Sequence, residues 1–420
     1  MSITRRVAAA LVAAVTIIAA VGCGSSSDNG SSSATTAKTT LKGKPIVIGS
    51  VGSFTGPQAP ALGAVDDTLR TWAEWKNANG GINGHPVKLL IADDGSNPAK
   101  ATQLVRNMVE REGVVALVGA ASFGDQTFAP YVEKKGIPVV GLANYNPVYG
   151  TSPDFFATGS QIPALVYGLL DEAKRAGKTK LGVLPCAEAP ACAQFAKLFQ
   201  GISQVVGGVS VPYTAKVTVS QPSYQAVCLA AKSKGVDAMV VIENAETVVR
   251  IADQCARVGY KPTQLNLSGT VGQQWTKSAN MDGALATQSN PVLADDSIAS
   301  TKAFHEALDQ YGKDVVSNNA YGEMSIGAWA AAETFALAAE RAKLGPDGTP
   351  DQVKQGLYTF KNETVGGLTP PLTYTKDKPA FTTCWFVQKL VGQQFQATQG
   401  AKPSCMEPAK VKALGAALGG

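Results

Sequence analysis

The chain has 420 residues, of which 16% are charged, and its formal net charge of +5 is small for that length. Lysine and arginine are scattered without a basic stripe, so the composition excludes a nucleic-acid-binding surface as the basis of function. The roughly 380 residues that follow an unusual N-terminal segment are more than one hydrophobic core normally supports, and two lobes are therefore expected.

The N-terminal segment has the pattern of a secretion signal. Arg5 and Arg6 precede an apolar run, Val7–Val21, that only Thr16 interrupts. This run is short for a membrane span, which needs about 20 apolar residues, whereas a charged start and a short apolar stretch are typical of a signal peptide. We therefore predict a signal peptide over residues 1–22 and export of the protein.

The residues that follow indicate lipid anchoring. Ala20-Val21-Gly22-Cys23 resembles the lipobox of bacterial lipoproteins, although Ala20 stands where leucine is usual. The resemblance implies cleavage before Cys23 and lipidation of that cysteine; an ordinary signal peptide with an incidental cysteine is the alternative. Residues 23–43 are predicted to be a flexible tether, because those after the cysteine are mostly small and polar. We expect an extracytoplasmic protein that its lipidated Cys23 anchors to the cell membrane.

The other six of the seven cysteines fit an exported protein, because disulfides form outside the cytoplasm. Six cysteines allow 15 pairings, and adjacency along the chain favours Cys186–Cys192, Cys228–Cys255 and Cys384–Cys405. A metal site is not predicted, since no Cys-x-x-Cys occurs and both histidines, His85 and His305, lie far from the cysteines. No cofactor is predicted either.

Short apolar runs alternate with longer amphipathic segments from Ile46 onward. In the first amphipathic segment, apolar residues repeat at spacings of three and four, which predicts a helix over Ala59–Asn79 that ends at Gly80-Gly81. This alternation is typical of β-α-β units in parallel sheets and predicts an α/β protein. The predicted strands are Ile46–Val51, Val87–Ala92, Val114–Ala120, Pro138–Ala143, Lys180–Leu184, Ala238–Ile242 and Gln264–Leu267.

The same plan repeats after a break near residues 156–162, and a second break falls near residues 284–291. Long helices are predicted after the second break, roughly over Ser297–Tyr311 and Ala320–Lys343. The C-terminal part changes character. Its apolar segments Phe381–Leu390 and Gln394–Ala397 flank Val391-Gly392, as in an antiparallel hairpin.

Catalytic motifs find little support in the sequence. Gly177-Lys178-Thr179 imitates the end of a phosphate-binding loop, but Glu172 stands where the first glycine is required, and the segment precedes a strand instead of following one. No Gly-x-Ser-x-Gly nucleophile motif occurs, and two histidines leave little for acid–base chemistry. We therefore predict that the protein is not an enzyme.

Three motifs resemble one family of binding proteins. Gly49–Pro57, Asn77–Gly84 and the pair Asp93-Asp94 are similar in order and spacing to type I periplasmic binding proteins, especially the Leu/Ile/Val-binding group. The resemblance covers nearly the whole chain after the tether. It implies two Rossmann-like lobes joined by a three-crossover hinge, with the ligand between them. Lobe 1 would comprise residues 44–160 and 288–376, and lobe 2 residues 161–287 and 377–420.

Ligands of open parallel sheets bind beyond the carboxyl ends of the strands, where loops meet helix N-termini. The resemblance implies that Ser122-Phe123-Gly124 holds a ligand carboxylate, that Ala143 offers its carbonyl, and that Tyr145 replaces a threonine hydroxyl. Alternatively, Ser122 or Asp125 only caps the next helix, and Asp125 would repel a nearby anion. The predicted ligand-binding residues are Ser53, Phe54, Gln58, Ser122, Phe123, Gly124, Ala143, Asn144, Tyr145, Glu188, Glu243, Asn244 and Thr270.

Lobe 2 departs from the amino-acid-binding pattern of the family. The Cys186–Cys192 loop and Asn244 stand where that pattern has aromatic residues, and Gly269-Thr270 stands where it has an acid that pairs with the ligand's ammonium. Glu188 or Glu243 could replace the missing carboxylate, or both could be solvated loop acids.

These observations predict a solute-binding protein. We expect it to capture a small polar molecule, an amino acid or a related carboxylate or amide, between its lobes by hinge closure and to deliver it to an ABC permease. The alternative is a ligand sensor of the same fold that signals to a membrane partner.

Overall fold

The computed structural model describes residues 41, 43–188 and 192–418, without the side chain of Ala193. The predicted signal peptide, the lipidated Cys23 and nearly all of the tether lie outside these ranges, and their assignment stays a prediction. Within the described ranges, no helix combines the length and the apolar character that crossing a membrane requires.

Strands and helices alternate along most of the chain. The strands are β1 Ile46–Gly52, β2 Val87–Asp93, β3 Leu117–Ala120, β4 Val139–Gly141, β5 Phe155–Ala157, β6 Lys180–Pro185, β7 Ser210–Thr214, β8 Ala238–Ile242, β9 Thr263–Leu267, β10 Leu285–Gln288, β11 Cys384–Val391, β12 Gln394–Ala397 and β13 Ser404–Cys405. The helices are α1 Ala59–Leu62, α2 Val65–Ala78, α3 Pro98–Glu110, α4 Asp125–Lys135, α5 Ile162–Arg175, α6 Ala193–Val206, α7 Gln225–Ser233, α8 Ala245–Arg257, α9 Ala299–Tyr311, α10 Lys313–Ser317, α11 Glu323–Arg341, α12 Pro350–Leu357 and α13 Pro408–Ala417.

The first sheet is parallel and has the strand order β2-β1-β3-β4-β5. Its strand β1 is buried along nearly its whole length, because helices cover both faces of a parallel sheet. On one face, Leu69 and Trp72 of α2 pack with Trp329 and Phe335 of α11, each at most 1% exposed. Burial of each such side chain contributes about 1.5–3 kcal/mol to stability.

The second sheet has the order β12-β11-β10-β9-β8-β6-β7, with β13 also paired to β11. Strands β6 to β10 are parallel, and β11 runs antiparallel to β10 and β12. The predicted C-terminal hairpin is therefore present, and it extends the sheet of lobe 2. One parallel sheet and one mainly parallel sheet, each packed against helices, confirm the predicted α/β fold.

The chain crosses between the sheets three times, after β5, after β10 and before β11. The crossing segments hydrogen-bond to one another. The amide of Asn290 donates to the carbonyl of Thr158 at 3.3 Å, and Gln161 accepts from the N–H of Thr382 at 2.8 Å. The predicted lobe boundaries lie near these segments, but their placement at individual residues stays a prediction.

The single helix predicted over Ala59–Asn79 is wrong, because the structure divides it into α1 and α2 around Gly63 and Ala64. At Gly63 the backbone passes so close to the carbonyl of Ala59 that a Cβ atom would lie 2.7 Å from its oxygen. The apolar spacing continues through this bend, and periodicity alone therefore did not reveal it.

Three strands of the two sheets were missed. Strand β13 has only two residues, β7 contains Pro212 and leaves alternate residues exposed, and β10 ends in the polar pair Thr287-Gln288 although all of its residues are buried. Short or polar strands show only a weak alternation of apolar and polar residues, and the sequence therefore does not reveal them. They form because neighbouring strands of the sheet pair with them.

The three disulfides join the cysteines that adjacency favours: Cys186 to Cys192, Cys228 to Cys255 and Cys384 to Cys405. The Cys228–Cys255 bond lies in the apolar core of lobe 2 and connects α7 to α8, and neither cysteine is exposed. It therefore restrains two helices that cover the same face of the second sheet.

Replacing Cys228 and Cys255 together by alanine should lower the free energy of unfolding by about 3–4 kcal/mol, because the bond closes a loop of 27 residues. Urea unfolding monitored by circular dichroism measures the loss. The control is the Cys186→Ala, Cys192→Ala variant, whose loop of six residues predicts a smaller loss of about 2 kcal/mol. An equal or larger loss in the control would contradict this account.

Candidate functional site

A cavity of about 220 Å³ lies between the two sheets. Lobe 1 supplies residues from α1, from α11 and from the loops after β3 and β4, and lobe 2 supplies the loop after β9 together with α5 and α6. This is the place that the strand-end rule predicts for a ligand. The lining residues are Gln58, Ala61, Leu62, Phe123, Leu142, Asn144, Tyr145, Ile162, Leu165, Phe195, Ser268, Gly269, Thr270, Ser289, Asn290 and Met324.

Part of the predicted set of binding residues lines this cavity: Gln58, Phe123, Asn144, Tyr145 and Thr270. The other predicted residues are not among its walls, and their contact with a ligand stays a prediction: Ser53, Phe54, Ser122, Gly124, Ala143, Glu188, Glu243 and Asn244.

Several residues of the second group have other roles in the structure. Phe54 is 5% exposed and belongs to the core of lobe 1. Asn244 caps α8 by accepting the N–H of Thr247 at 2.9 Å, and the carbonyl of Ala143 accepts the N–H of Asn146 at 2.8 Å. Gly124 precedes the first residue of α4.

The carboxylate of Asp94 lies at the centre of a buried network beside the cavity. The hydroxyl of Ser53 donates to Oδ1 at 2.8 Å, and the hydroxyl of Ser122 donates to Oδ2 at 2.5 Å. The N–H of Ser96 donates to Oδ1 at 2.7 Å. Asp94, Ser53 and Ser122 are each at most 1% exposed. The hydroxyl of Ser122 is thus bonded to a carboxylate of the protein itself.

The preceding residue, Asp93, orders the loop after β1. Its Oδ1 accepts the N–H groups of Phe54 at 3.0 Å, Thr55 at 3.2 Å and Gly95 at 3.0 Å, and its Oδ2 accepts the hydroxyl of Thr55. Burial raises the pKa of Asp93, but these hydrogen bonds stabilise the carboxylate and lower the pKa overall. Asp93 and Asp94 therefore both order loops at this edge of the first sheet.

Asp125, in the first turn of α4, is fully buried. Neither carboxyl oxygen has a hydrogen-bond partner in the described chain, and the hydroxyls of Tyr145 and Tyr149 also lack one. Burial, aided by the nearby Asp94 carboxyl, raises the pKa of Asp125 well above its usual range. The protonated form of Asp125 is therefore favoured.

Aromatic and aliphatic side chains make up much of the cavity wall. The rings of Phe123 and Tyr145 lie 5.7 Å apart, and Phe123 is 49% exposed. Phe195 contributes a third ring from lobe 2. Other apolar lining residues are Leu62, Leu142, Ile162, Leu165 and Met324.

Most of these apolar residues were not predicted as part of the site. Ile162, Leu165, Phe195 and Met324 lie on helices, whereas the strand-end rule selects loops. Their sequence signal is the same as that of any buried helical residue, so only the packing of the two lobes distinguishes them.

Glu323, the first residue of α11, connects the lobes beside the cavity. Its Oε1 accepts the hydroxyl of Ser268 at 2.6 Å and the N–H of Ser289 at 2.9 Å, and its Oε2 accepts the N–H of Gly269 at 3.2 Å. Burial raises its pKa, against the effect of these hydrogen bonds. Sequence reasoning missed Glu323 because its partners are far away in the chain.

Glu188 and Glu243 lie together at the ends of lobe 2 strands, outside the cavity lining. Their carboxyl oxygens and the sulfur of Cys186 lie within 4.8 Å of one another, but this sulfur is in a disulfide and offers no thiolate to a metal. Burial and Glu188 raise the pKa of Glu243 to about 8. Burial also raises the pKa of Glu188, but the N–H of Val219 and the side chain of Glu243 lower it overall.

Glu188→Gln should lower the pKa of Glu243 and shift the pH dependence of stability. In the wild type, the pKa of Glu243 rises on folding from 4.5 to about 8. Its contribution to stability is thus present below pH 4.5 and is lost as the pH rises through about 8. In the Glu188→Gln variant, this contribution to stability should be fully lost at a lower pH than in the wild type.

Urea unfolding between pH 4 and pH 9 tests this shift. Glu246→Gln is the control, because this exposed residue has the same charge change and no contact of this kind. Superimposable profiles of wild type and Glu188→Gln would refute the coupling.

Comparison with known proteins identifies the family. The model of the periplasmic binding protein family matches residues 45–395. An "Amino acid binding protein" from Pseudomonas aeruginosa is 36% identical over 74 residues, which cover 18% of this chain and 20% of that relative. The matched part therefore spans about a fifth of the relative.

Solved structures show the same fold at low sequence identity. A branched-chain amino acid ABC transporter structure from Thermus thermophilus with bound valine is 16% identical, covers 90% of this chain and 99% of that one, and has a TM-score of 0.76. A fatty acid ABC transporter substrate-binding protein from Thermomonospora curvata is 17% identical, covers 88% and 94%, and has a TM-score of 0.69. With its two lobes and interlobe cavity, the chain belongs to the periplasmic binding protein family and has the type I fold.

Proposed function

We propose that the protein is an extracytoplasmic solute-binding protein that captures a small molecule between its lobes and delivers it to an ABC permease. The observation that carries this proposal is the cavity of about 220 Å³ whose walls come from both lobes at the strand ends. Such a volume suits a small molecule of amino-acid size and is small for a macromolecular partner. Family membership supports the same function.

Hinge closure would couple binding to recognition by the permease. Residues of both lobes line the cavity, so a bound solute makes its full set of contacts only when the lobes are together. The contacts of Glu323 with Ser268, Gly269 and Ser289 hold the lobes in that arrangement. A permease can then distinguish the loaded protein by the relative position of its lobes.

The proposed location follows from the family and from the disulfides. Three disulfides favour an oxidising compartment, and membership of the periplasmic binding protein family supports the same location. Lipidation of Cys23 would tether the protein beside the permease. A role as an enzyme finds no support in the cavity, whose walls combine no nucleophile with a histidine or an ionised acid.

The amino acids are the starting class for ligand screening, as the names of the similar proteins suggest. The purified protein should show a rise in melting temperature with at least one member of a library of amino acids, amides, carboxylates and small apolar solutes, because a ligand that binds only the folded state stabilises it. If no solute raised the melting temperature, the proposal of solute binding would fail.

Tyr145→Ala and Phe195→Ala should each raise the Kd of the best solute from that library by about 10-fold or more, because each removes an apolar wall of the cavity. Isothermal titration calorimetry measures the Kd, and circular dichroism checks the fold. Phe381→Ala is the matched control, since Phe381 is 42% exposed and does not line the cavity. Unchanged affinity in both cavity variants would show that the solute binds elsewhere.

A further inference from the structure

We propose that the interlobe cavity selects an uncharged, mainly apolar solute that donates hydrogen bonds, and not a free amino acid or a carboxylate. This inference rests on the proposed function and specifies the class of solute. It follows from three features of the described residues: the charge of the walls, the partners of the nearby carboxyls and the direction in which the wall hydroxyls donate.

Among the residues that the structure describes, the walls of the cavity carry no charged side chain. They consist of apolar residues, amides, hydroxyls and glycine, and Tyr145 is their one titratable group. Burial raises the pKa of Tyr145 further above its usual range, so it stays neutral. An ammonium or carboxylate group in this cavity would be desolvated without an opposite charge, which costs several kcal/mol.

The chain's own carboxylate already occupies the hydroxyl groups that the family resemblance assigns to a ligand carboxylate. Ser53 and Ser122 both donate to Asp94. The N–H of Phe123 donates to the oxygen of Ser53 at 3.3 Å, and the N–H of Gly124 donates to the oxygen of Ser122 at 2.8 Å. A ligand carboxylate would have to take these donors from Asp94 and lie beside a second carboxylate.

Three serine and threonine hydroxyls of the wall already donate their hydrogens to other groups of the protein. Ser268 donates to Glu323, Thr270 donates to the carbonyl of Leu267 at 2.8 Å, and Ser289 donates to the carbonyl of Ser160 at 3.0 Å. Each hydroxyl has one hydrogen to donate, and only lone pairs remain for a solute. An uncharged hydroxyl or N–H group is the complement of such a surface.

Asn144 supplies a matching donor. Its Oδ1 accepts the N–H of Thr158 at 3.2 Å, Nδ2 has no hydrogen-bond partner within the described chain, and the residue lines the cavity. A solute with an amide or hydroxyl group can accept from Asn144 and donate to Ser268, Thr270 or Ser289. Its apolar part would then contact Phe123, Tyr145 and Phe195 and the neighbouring aliphatic residues.

The test is a series of compounds that share one carbon skeleton and differ in charge. The first series is 3-phenylpropanamide, 3-phenylpropanoate, 3-phenylpropylamine and phenylalanine, and the second is 4-methylpentanamide, 4-methylpentanoate, 4-methylpentylamine and leucine. Calorimetry with the wild-type protein at pH 7 should give the amide of at least one series a Kd about 10-fold or more below those of its three charged relatives.

A charged compound that binds as tightly as the amide of its series, or more tightly, would overturn the inference. So would the absence of binding by both amides, because each has the size and the groups that the inference requires. If the broader library identified a charged solute, the proposed function would stand and this inference alone would fail.

Asp94→Asn tests the role of the internal carboxylate. This variant should lower the ratio of the Kd of 3-phenylpropanoate to the Kd of 3-phenylpropanamide by about 10-fold or more, because it removes the adjacent negative charge. Asp93→Asn is the control, since it has the same charge change but no bond to Ser53 or Ser122. A ratio equal to that of the wild type would overturn the assigned role of Asp94, and if the variant does not fold, the wild-type series remains decisive.

Discussion

The carboxylate of Asp94 is the constraint on which the ligand-facing edge of lobe 1 depends. It lies just after β2 and accepts hydrogen bonds from Ser53 after β1 and from Ser122 after β3. Three neighbouring strands thus end on one buried side chain, which fixes the loops that approach the cavity. Hydrogen bonds to a charged group are stronger than those between neutral groups, and the burial of all three residues protects these bonds from competition by water.

The carboxyl group of Glu323 connects the two lobes by accepting hydrogen bonds beside the cavity. Glu323 belongs to lobe 1, and its three hydrogen-bond donors belong to the loop after β9 and to the crossing after β10. The crossings also bond to one another through Asn290 and Gln161. The structure therefore concentrates the polar contacts between the lobes at the hinge and at one edge of the cavity, while the cavity itself stays largely apolar.

The sequence predicted the local features well and the composition of the site only in part. Buried strands such as β1 and β8 were predicted because their sequences are mainly apolar, and cysteines that are neighbours in the chain are also neighbours in space. Glu323 and Phe195 gave no such signal, because their roles depend on partners in other parts of the chain, and Asp94 belonged to a recognised motif whose hydrogen-bond partners were not predicted. Ser122 shows the same limit, since its hydroxyl is present as expected but bonds to a residue 28 positions earlier.

A wall without charges also has consequences for how fast a solute arrives. Clefts lined by one sign of charge draw oppositely charged solutes from a distance and accelerate their capture, an effect that salt weakens. The described walls of this cavity lack such charges and exert little electrostatic attraction on solutes in the surrounding solution. Encounter with an uncharged solute then depends on diffusion and on the local abundance of the solute, and its rate of capture should change little with ionic strength.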